Sequence, residues 1–386
     1  MTVFLISSAI KVFVVANLIL VGVALLTLLE RRVCAWMQDR LGPNRVGPQG
    51  LLQPAADGLK NFLKEETSPA MADRTLFVLA PLISFVPALL TFGVIPFASP
   101  LPTKWGTIPM VVADLPVGFL YILAISSLGV YGIVLAGWSS NNKYALLGGL
   151  RASAQMISYE IAMGLSAVAV LLLAGNVTLS QVIAQQQSGL WLVIPLTLAF
   201  IMFFISALAE TNRLPFDLPE AEGELIAGYH TEYSSMKFSM FYIAEYSNMV
   251  TASALMATLF FGGWDIPFTH WDDTDPTVLK TLLTLGAFSL KTFVFLFTYI
   301  WIRWTLPRFR YDQLMALGWK VLLPLALLYI TVLAVAIWFV RVRLGWEWGT
   351  GMAWVLGGLN VVVLIPLVWW LDRGRLVSGS VSEEAA

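Results

Sequence analysis

The sequence contains little charge and almost no cysteine or histidine. Lysine, arginine, aspartate and glutamate make up 12% of the 386 residues, whereas 58% of the residues are hydrophobic. Soluble domains carry about 25% charged residues, so this composition excludes an ordinary soluble domain and indicates a chain whose solvent is lipid. The only cysteine is Cys34, and the only histidines are His230 and His270. A disulfide framework is therefore excluded, and too few ligands are present for a Cys/His metal site or an iron–sulfur cluster.

Long hydrophobic runs are abundant. A helix needs about 20 largely apolar residues to cross the hydrocarbon layer of a membrane. Segments of this kind lie at 3–29, 75–96, 115–137, 156–174, 190–209, 239–262, 281–304, 321–341 and 352–371. They do not alternate as barrel strands would. The sequence therefore predicts an all-α polytopic membrane protein with about nine transmembrane helices, forming one domain over 1–377 that is followed by a disordered tail at 378–386.

Most lysines and arginines fall in alternate loops between these segments, namely the loops that include 30–74 and 210–238. The positive-inside rule places such loops on the cytoplasmic side, so we expect a periplasmic N-terminus and a cytoplasmic C-terminus. The outer loop at 175–189 carries no charge. The long, charged inner loops at 30–74 and 210–238 are therefore the expected carriers of function.

The first inner loop contains two Gly-Pro turns, at 42–43 and 47–48, which are followed by a segment with helical periodicity, 49–64. Its apolar residues fall on one face of a helix, and Asp57, Lys60, Asn61 and Lys64 fall on the other. A short amphipathic helix between spans 1 and 2 is expected to lie in the membrane interface. Two interpretations are open: a simple anchor, or the wall of a lipid-accessible cavity with Arg31, Asp57 and Lys60 as its polar contacts.

The second inner loop is unusually acidic. One arginine, Arg213, accompanies the acidic residues Glu210, Asp217, Glu220, Glu222 and Glu224. Helix N-terminal dipole chemistry accounts for some of these carboxylates but not for the whole set. Crowded carboxylates in partly dry surroundings have raised and coupled pKa values, which is the property that a proton path requires.

Further ionisable residues lie within or beside the predicted spans. A charge in the middle of the bilayer costs at least about 2.5 kcal/mol, so each such residue is a functional candidate. A role in a relay or an internal pair is the preferred interpretation for Glu160, Glu245 and Lys291. Lys11 and Glu30, near span ends, are instead interpreted as snorkelling to the interface.

Three stretches of the chain resemble a known family, the H-type membrane subunit of proton-pumping NADH:quinone oxidoreductase (respiratory complex I). The matching segments are residues 30–48 (ERRVCAWMQDRLGPNRVGP) with 50–54 and 56–60, residues 209–225 (AETNRLPFDLPEAEGEL) with 228–238 (GYHTEYSSMKF), and residues 307–315 (PRFRYDQLM). Motifs of this length are far more specific than a short pattern. The likeness covers spans 1 to 8.

The resemblance implies a subunit of a redox enzyme that carries no redox centre of its own. Iron–sulfur clusters and FMN are expected on partner subunits, and this chain would bind quinone as substrate in the membrane, with ubiquinone and menaquinone both possible. The expected partners are the quinone-site subunits of the peripheral arm, the neighbouring small membrane subunits and membrane lipid, with no nucleic acid. The expected location is the bacterial inner membrane.

The resemblance also assigns roles to individual residues. The quinone chamber would be formed by Arg31, Asp57, Lys60 and Arg303. The proton relay would be formed by Glu160, Glu210, Asp217, Glu220, Glu222, Glu224, Glu232, Glu245 and Tyr246. No catalytic or metal-binding residue is implied.

Two other functions are compatible with a polytopic membrane protein. The homologous membrane subunit of an energy-converting hydrogenase would couple a redox arm to ion movement without binding quinone. A stand-alone secondary transporter would be expected to show internal repeats and paired broken helices, and neither pattern is visible in the sequence.

Overall fold

The protein is a helical bundle. The computed structural model describes residues 2–104, 106–217, 228–267, 269, 271, 276–346 and 348–372. The helices are α1 (Thr2–Met37), α2 (Gln53–Leu63), α3 (Arg74–Leu90), α4 (Gly118–Ser139), α5 (Lys143–Ala174), α6 (Leu179–Gln187), α7 (Thr197–Glu210), α8 (Ser235–Phe260), α9 (Val278–Thr305), α10 (Tyr311–Ala316), α11 (Leu323–Trp338) and α12 (Thr350–Asp372). A π-helical turn, Leu317–Leu322, joins α10 to α11. The predicted tail at 378–386 lies outside the described residues.

Six helical stretches in the described part of the chain are long and apolar enough to cross a membrane. They are Ile6–Met37, Arg74–Val94, Gly118–Ser139, Lys143–Ala174, Val278–Thr305 and Tyr311–Arg343. The helices α7 and α12 contain shorter apolar stretches, and α8 is long but includes Lys237 and Glu245. Every predicted span coincides with one of these helices, so the prediction of an all-α polytopic membrane protein is confirmed.

The structure differs from the prediction at the end of the bundle opposite the long charged loops. The helix α7 begins at Thr197 instead of residue 190, and the turn that precedes it contains Pro195, which has no N–H to continue a helix. The amide of Asn360 on α12 binds two backbone groups at this interruption. Its oxygen accepts a hydrogen bond from the Leu198 N–H at 3.3 Å, and its nitrogen donates one to the Pro195 carbonyl at 2.5 Å. The uncharged loop at 175–189 contains α6, a short helix that the sequence analysis did not predict.

A small antiparallel hairpin was also missed. Its strands are β1 (Leu101–Thr103) and β2 (Gly106–Ile108), and Leu101 pairs with Ile108. The amine of Lys11 on α1 donates to the carbonyls of Pro109 at 3.3 Å and Val111 at 2.7 Å, just after β2. The hairpin segment is therefore fixed to α1 at the end of the bundle opposite the long charged loops.

Close approach of α3 and α4 depends on a glycine. A Cβ at Gly132 would collide with the side chain of Ser84 and lie 2.9 Å from the Ala80 carbonyl oxygen. Small residues at such contacts allow membrane helices to pack closely where no hydrophobic driving force exists between them. We expect even Gly132→Ala to force these two helices apart.

The amphipathic helix α2 bridges two longer helices. Its residues are all described and none of them is fully buried, and Phe62 remains 71% exposed. At one end, the Asp57 carboxylate pairs with Arg31 of α1 at 2.6 Å. At the other end, the Ser235 hydroxyl of α8 lies 2.8 Å from the Asn61 carbonyl oxygen and 3.0 Å from that of Lys64. These bonds satisfy carbonyl groups that a helix C-terminus otherwise leaves unpaired.

Candidate functional site

A cavity of about 1020 Å³ lies between α1, α2, α8 and the end of α9. Part of its wall is apolar and includes Leu20, Val23 and Ala24 of α1 and Ile243 of α8. Its polar lining includes Arg31, Asp57, Lys60 and Arg303. The structure therefore brings together in one cavity the four residues that the resemblance assigned to a quinone chamber. An apolar pocket with a few placed polar groups is the usual form of a small-molecule site.

The polar contacts at the α2 side of the cavity are partly exposed to solvent. The side chains of Arg31 and Asp57 are 53% and 37% exposed, and Gln53 donates a second hydrogen bond to Asp57 at 3.0 Å. Exposed ion pairs contribute about 0–1 kcal/mol, so this contact can break and re-form at little cost. Arg31 can therefore exchange Asp57 for another acceptor inside the cavity.

A buried ionic cluster adjoins the same cavity. Glu30 is only 5% exposed, and its carboxylate pairs with Arg303 and, at 3.3 Å, with Arg213. Its other oxygen accepts a hydrogen bond from the Tyr246 hydroxyl at 2.5 Å. The Arg213 guanidinium also lies 2.8 Å from a carboxylate oxygen of Glu245. Four elements of the chain thus contribute to one network of alternating charge.

Arg213 is the centre of this network. Its guanidinium carbon lies 4.2 Å from the centroid of the Tyr246 ring, in a cation–π contact. Burial alone would lower the pKa of Arg213, but the adjoining Glu245 and Glu30 outweigh it and hold the pKa well above its usual value. Arg213 therefore stays charged, and removing either carboxylate would leave a buried cation with fewer partners, a change that typically costs about 3–5 kcal/mol.

The position of Glu30 corrects the sequence analysis, which interpreted this residue as snorkelling to the interface. Glu30 points into the bundle and lines the cavity together with Thr27 and Cys34 of the same helix. These residues follow one another at helical spacing, so they share a face of α1. The spacing places the carboxylate on the face of α1 that also carries Thr27 and Cys34, but it does not show which helix that face meets.

Two further acids of the predicted relay lie on neighbouring helices. Glu160 of α5 and Glu210 at the end of α7 are close enough to interact electrostatically, and Glu210 also interacts with the Tyr299 phenol of α9. The fully buried Gln155 fixes this end of α7, since its amide nitrogen lies 2.8 Å from the carbonyl oxygens of both Ala209 and Phe216. The carboxylate of Glu210 is therefore held in a defined position at the start of the acidic loop.

The remaining predicted relay residues have separate surroundings. Asp217 forms a two-point ion pair with Arg308, with distances of 2.7 Å and 3.1 Å. Glu232 accepts a hydrogen bond from the Asn142 amide at 2.7 Å. Glu220, Glu222 and Glu224 lie outside the described residues. The acidic loop is thus fixed to the rest of the chain on both sides of its undescribed part.

Tyr233 fixes the point at which the acidic loop returns to α8. Its ring stacks on Phe77 with centroids 4.1 Å apart, and its hydroxyl donates to the Phe77 carbonyl at 3.1 Å. Burial raises the pKa of the Tyr233 phenol to about 12, and a hydrogen bond with Ser139 offsets only part of the rise. The phenol therefore remains protonated at physiological pH and acts as an anchor.

Lys291, the charged residue predicted near the middle of a span, lies apart from these acids. Its amine donates to the backbone carbonyls of Phe261, Gly263 and Asp265, just beyond the end of α8. The structure therefore places it at a helix terminus, where a cation is favoured by the helix dipole.

These features define a polytopic helical membrane protein whose polar cavity continues into a buried ionic network. Residues 10–334 match the NADH dehydrogenase family. The chain is 52% identical to an H-type NADH-quinone oxidoreductase subunit of Geobacter metallireducens, over 83% of this chain and 94% of that protein. It is 52% identical to an H-type NADH-quinone oxidoreductase subunit of Koribacter versatilis, over 86% and 97%. It is also 52% identical to NADH-ubiquinone oxidoreductase chain 1 of Chondrus crispus, over 85% and 95%. The chain belongs to the NADH dehydrogenase family, among its H-type complex I subunits.

Proposed function

We propose that this chain forms the membrane part of the quinone-binding chamber of NADH:quinone oxidoreductase, docks the peripheral redox arm and couples quinone reduction to proton translocation. The observation that carries the proposal is the cavity, which joins an apolar wall on α1 to a polar end lined by Arg31, Lys60 and Arg303. An isoprenoid tail suits the apolar wall. A quinone headgroup suits the polar end, because its carbonyl oxygens accept hydrogen bonds from cationic donors.

The chemistry at the headgroup is the transfer of two electrons and two protons to a quinone, which yields the quinol. In this proposal the two electrons come from NADH, and they would pass through FMN and iron–sulfur clusters carried by partner subunits. This chain supplies the surroundings: cationic donors that stabilise the negative charge of a reduced headgroup more strongly than the neutral quinone.

The ionic cluster beside the cavity supplies the link to proton movement. A new negative charge near Arg303 acts on Glu30, and through Arg213 on Glu245, because interactions between buried charges are weakly screened. Carboxylates that share such partners titrate as a coupled set. Glu160 and Glu210 extend the set toward α5 and α7, and thus toward neighbouring membrane subunits.

We also propose an orientation in the membrane and a contact surface for the peripheral arm. The loops at 30–74 and 210–238 face the cytoplasm of a bacterial cell and meet the peripheral arm. The spans lie in the inner membrane with the N-terminus periplasmic and the C-terminus cytoplasmic, as the distribution of positive charge predicts. The coupling ion is the proton.

Filling the cavity tests whether quinone occupies it. Gly58 of α2 lines the cavity, and among the described residues no heavy atom outside its chain neighbours and the backbone of its own helix lies within 4 Å of where its Cβ would be. A Gly58→Trp side chain would enter the open space. The adjacent Leu59 is 60% exposed, so Leu59→Trp adds the same ring outside the cavity and serves as the matched control.

We expect Gly58→Trp to raise the KM for quinone strongly in the assembled complex, while Leu59→Trp leaves it unchanged. NADH:ferricyanide activity, which requires only the peripheral arm, should persist in both variants. A wild-type KM in an assembled Gly58→Trp complex would show that quinone binds elsewhere.

A further inference from the structure

One face of α9 runs from the ionic cluster to the opposite end of the bundle. Arg303, Tyr299, Phe295 and Lys291 are spaced four residues apart and therefore share a face of the helix. Arg303 pairs with Glu30, and Tyr299 interacts electrostatically with Glu210. Arg303 and Tyr299 thus belong to the polar network. Phe295 and Lys291, further along the helix, have different surroundings.

The outer part of this face meets a layer of phenylalanine rings. Phe295 packs against Phe261 with ring centroids 5.2 Å apart and against Phe200 at 6.0 Å. Phe200 in turn contacts Phe260 at 5.4 Å, and Phe203 contacts Phe260 at 5.6 Å. The rings come from α7, from α9 and from the end of α8 with the residue that follows it, and both Phe203 and Phe260 are fully buried. Such a layer offers few polar partners to an ordered water, and a buried water needs two to four of them.

Lys291 covers the outer side of this layer. Its amine donates to the carbonyls of Phe261 at 2.7 Å, Gly263 at 3.0 Å and Asp265 at 2.6 Å. It also lies 4.2 Å from the centroid of the Trp191 ring, whose N–H donates to the Asp265 carboxylate at 2.6 Å. The carbonyl groups at the end of α8 are thus bonded to a fixed cation, which excludes water from those positions.

A second side chain completes the closure of the α8 end. The buried Gln186 of α6 accepts hydrogen bonds from the N–H groups of Leu192 at 3.1 Å and Gly262 at 2.9 Å. Its amide nitrogen donates to the Thr258 carbonyl at 3.0 Å. A helix terminus normally presents unpaired polar groups that water can occupy. Here side chains of other helices occupy several of them.

We infer that the phenylalanine layer and its Lys291 cap form a proton-tight seal between the acidic network and the outer side of the bundle. Lys291 and Arg303 are twelve residues apart, so about 18 Å of helix separates the seal's outer boundary from the ionic cluster. A dry layer interrupts any chain of waters, and the Lys291 amine occupies the carbonyl groups that water could otherwise bind at the edge of this layer. The inference rests on the proposed coupling role, since only a proton-carrying network needs insulation.

Passive proton permeability tests the seal without any turnover. The variants are Phe200→Asn, which places an amide at the centre of the layer, and Lys291→Gln, which removes the cation. The matched controls are Phe200→Leu, which keeps the layer apolar, and Lys291→Arg, which keeps the charge. The intact complex is reconstituted into proteoliposomes without NADH, a potassium diffusion potential is imposed, and internal pH is followed with an enclosed dye.

We expect the two test variants to raise passive proton conductance several-fold, while both controls remain at the wild-type level. NADH:quinone turnover should persist and should respond less to added uncoupler, because the leak already dissipates the gradient. Wild-type conductance in an assembled Phe200→Asn complex would overturn the inference. If that variant does not assemble, Phe295→Ala opens the layer without adding a polar group, and wild-type conductance there would overturn it equally. Turnover unchanged with raised leak separates this result from any failure of quinone binding.

Discussion

The hydroxyl of Tyr246 donates a hydrogen bond to the carboxylate of Glu30 across 2.5 Å and so joins α8 to α1 beside the cavity. The same tyrosine presents its ring face to the Arg213 guanidinium at 4.2 Å. One side chain therefore binds an anion through its hydroxyl and a cation through its ring. This arrangement fixes the relative positions of Glu30 and Arg213, two charges that would respond to a charge change in the cavity.

The substitution Tyr246→Phe separates these two contacts. It retains the ring and the cation–π contact with Arg213 but removes the hydroxyl. A hydrogen bond to a charged group contributes about 1.5–3 kcal/mol. If the bond acts during quinone reduction, the turnover of NADH:quinone should fall by roughly 10- to 100-fold. Assembly and NADH:ferricyanide activity should be preserved.

The matched control is Tyr242→Phe. Its hydroxyl lies 3.0 Å from that of Tyr246, and it also lines the cavity. Because its hydroxyl bonds to the Tyr246 hydroxyl and lies one hydrogen bond further from the Glu30 carboxylate, a smaller loss is expected. Equal losses in both variants would indicate a general effect on packing, and wild-type turnover in Tyr246→Phe would make the bond purely structural.

The sequence predicts the spans and the amphipathic helix well, because both depend on local periodicity. Long-range pairing is different. Glu30 and Tyr246 are 216 positions apart in the chain, and hydropathy relates each of them to the bilayer but not to the other. A carboxylate near a span end resembles a snorkelling residue until the helix that faces it is known. The ionic cluster therefore could not be assembled from local patterns.

The end of the bundle opposite the long charged loops shows the same limit of sequence-based prediction. The loop at 175–189 has no charge, so its composition offered no reason to expect a functional part there. Its Gln186 nevertheless forms hydrogen bonds with the end of α8, and the Asn360 amide donates a hydrogen bond to the backbone carbonyl of Pro195. Isolated asparagine and glutamine side chains carry no charge and form no periodic pattern in the sequence. Neither the positive-inside rule nor hydropathy therefore identifies such contacts.

The ion pair between Asp217 and Arg308 allows a test of whether Asp217 carries protons or anchors the acidic loop. The resemblance assigns Asp217 to the proton relay, whereas the structure pairs it with Arg308 at two points, 2.7 Å and 3.1 Å. The exchange Asp217→Arg with Arg308→Asp restores opposite charges at the same place. If Asp217 serves as an anchor, each single variant should impair assembly or turnover and the double variant should recover most of the loss.

The measurement is NADH:quinone turnover and acidification in proteoliposomes for both single variants and the pair. Recovery of turnover with pumping would assign Asp217 to the anchoring of the acidic loop. Recovery of assembly without pumping would instead support a relay carboxylate at position 217.

Topology gives an independent prediction. In a background with Cys34→Ser, single cysteines at Ser68 and Thr107 should be labelled from opposite sides of the membrane. Both positions are exposed, the first between α2 and α3 and the second in β2. From the distribution of positive charge, we expect Ser68→Cys to react only after the cytoplasmic face is opened and Thr107→Cys to react in intact cells. Labelling of Ser68→Cys by an impermeant reagent in intact cells would reverse the orientation.

The last prediction concerns the pair of acids on α5 and α7. Glu160 and Glu210 interact electrostatically, and Glu210 also interacts with Tyr299, one turn from Arg303 on α9. A change of protonation at one carboxylate is therefore felt at the other. We expect Glu160→Gln and Glu210→Gln to leave the complex assembled but to lower both quinone reduction and proton pumping, because tight coupling stalls the redox step when the relay cannot respond.

The loss of activity should depend on whether a carboxylate is present at each position and not on the volume of the side chain. Proton transfer by a positioned side chain typically contributes about 100- to 10,000-fold, so the glutamine variants should lose far more activity than Glu160→Asp or Glu210→Asp, which keep a carboxylate. The measurement is NADH:quinone turnover beside acidification in proteoliposomes. Glu232→Gln is the comparison outside the pair, since its carboxylate accepts from Asn142 at the far end of the acidic loop. Full pumping in both glutamine variants would show that neither carboxylate has to change its protonation state during coupling.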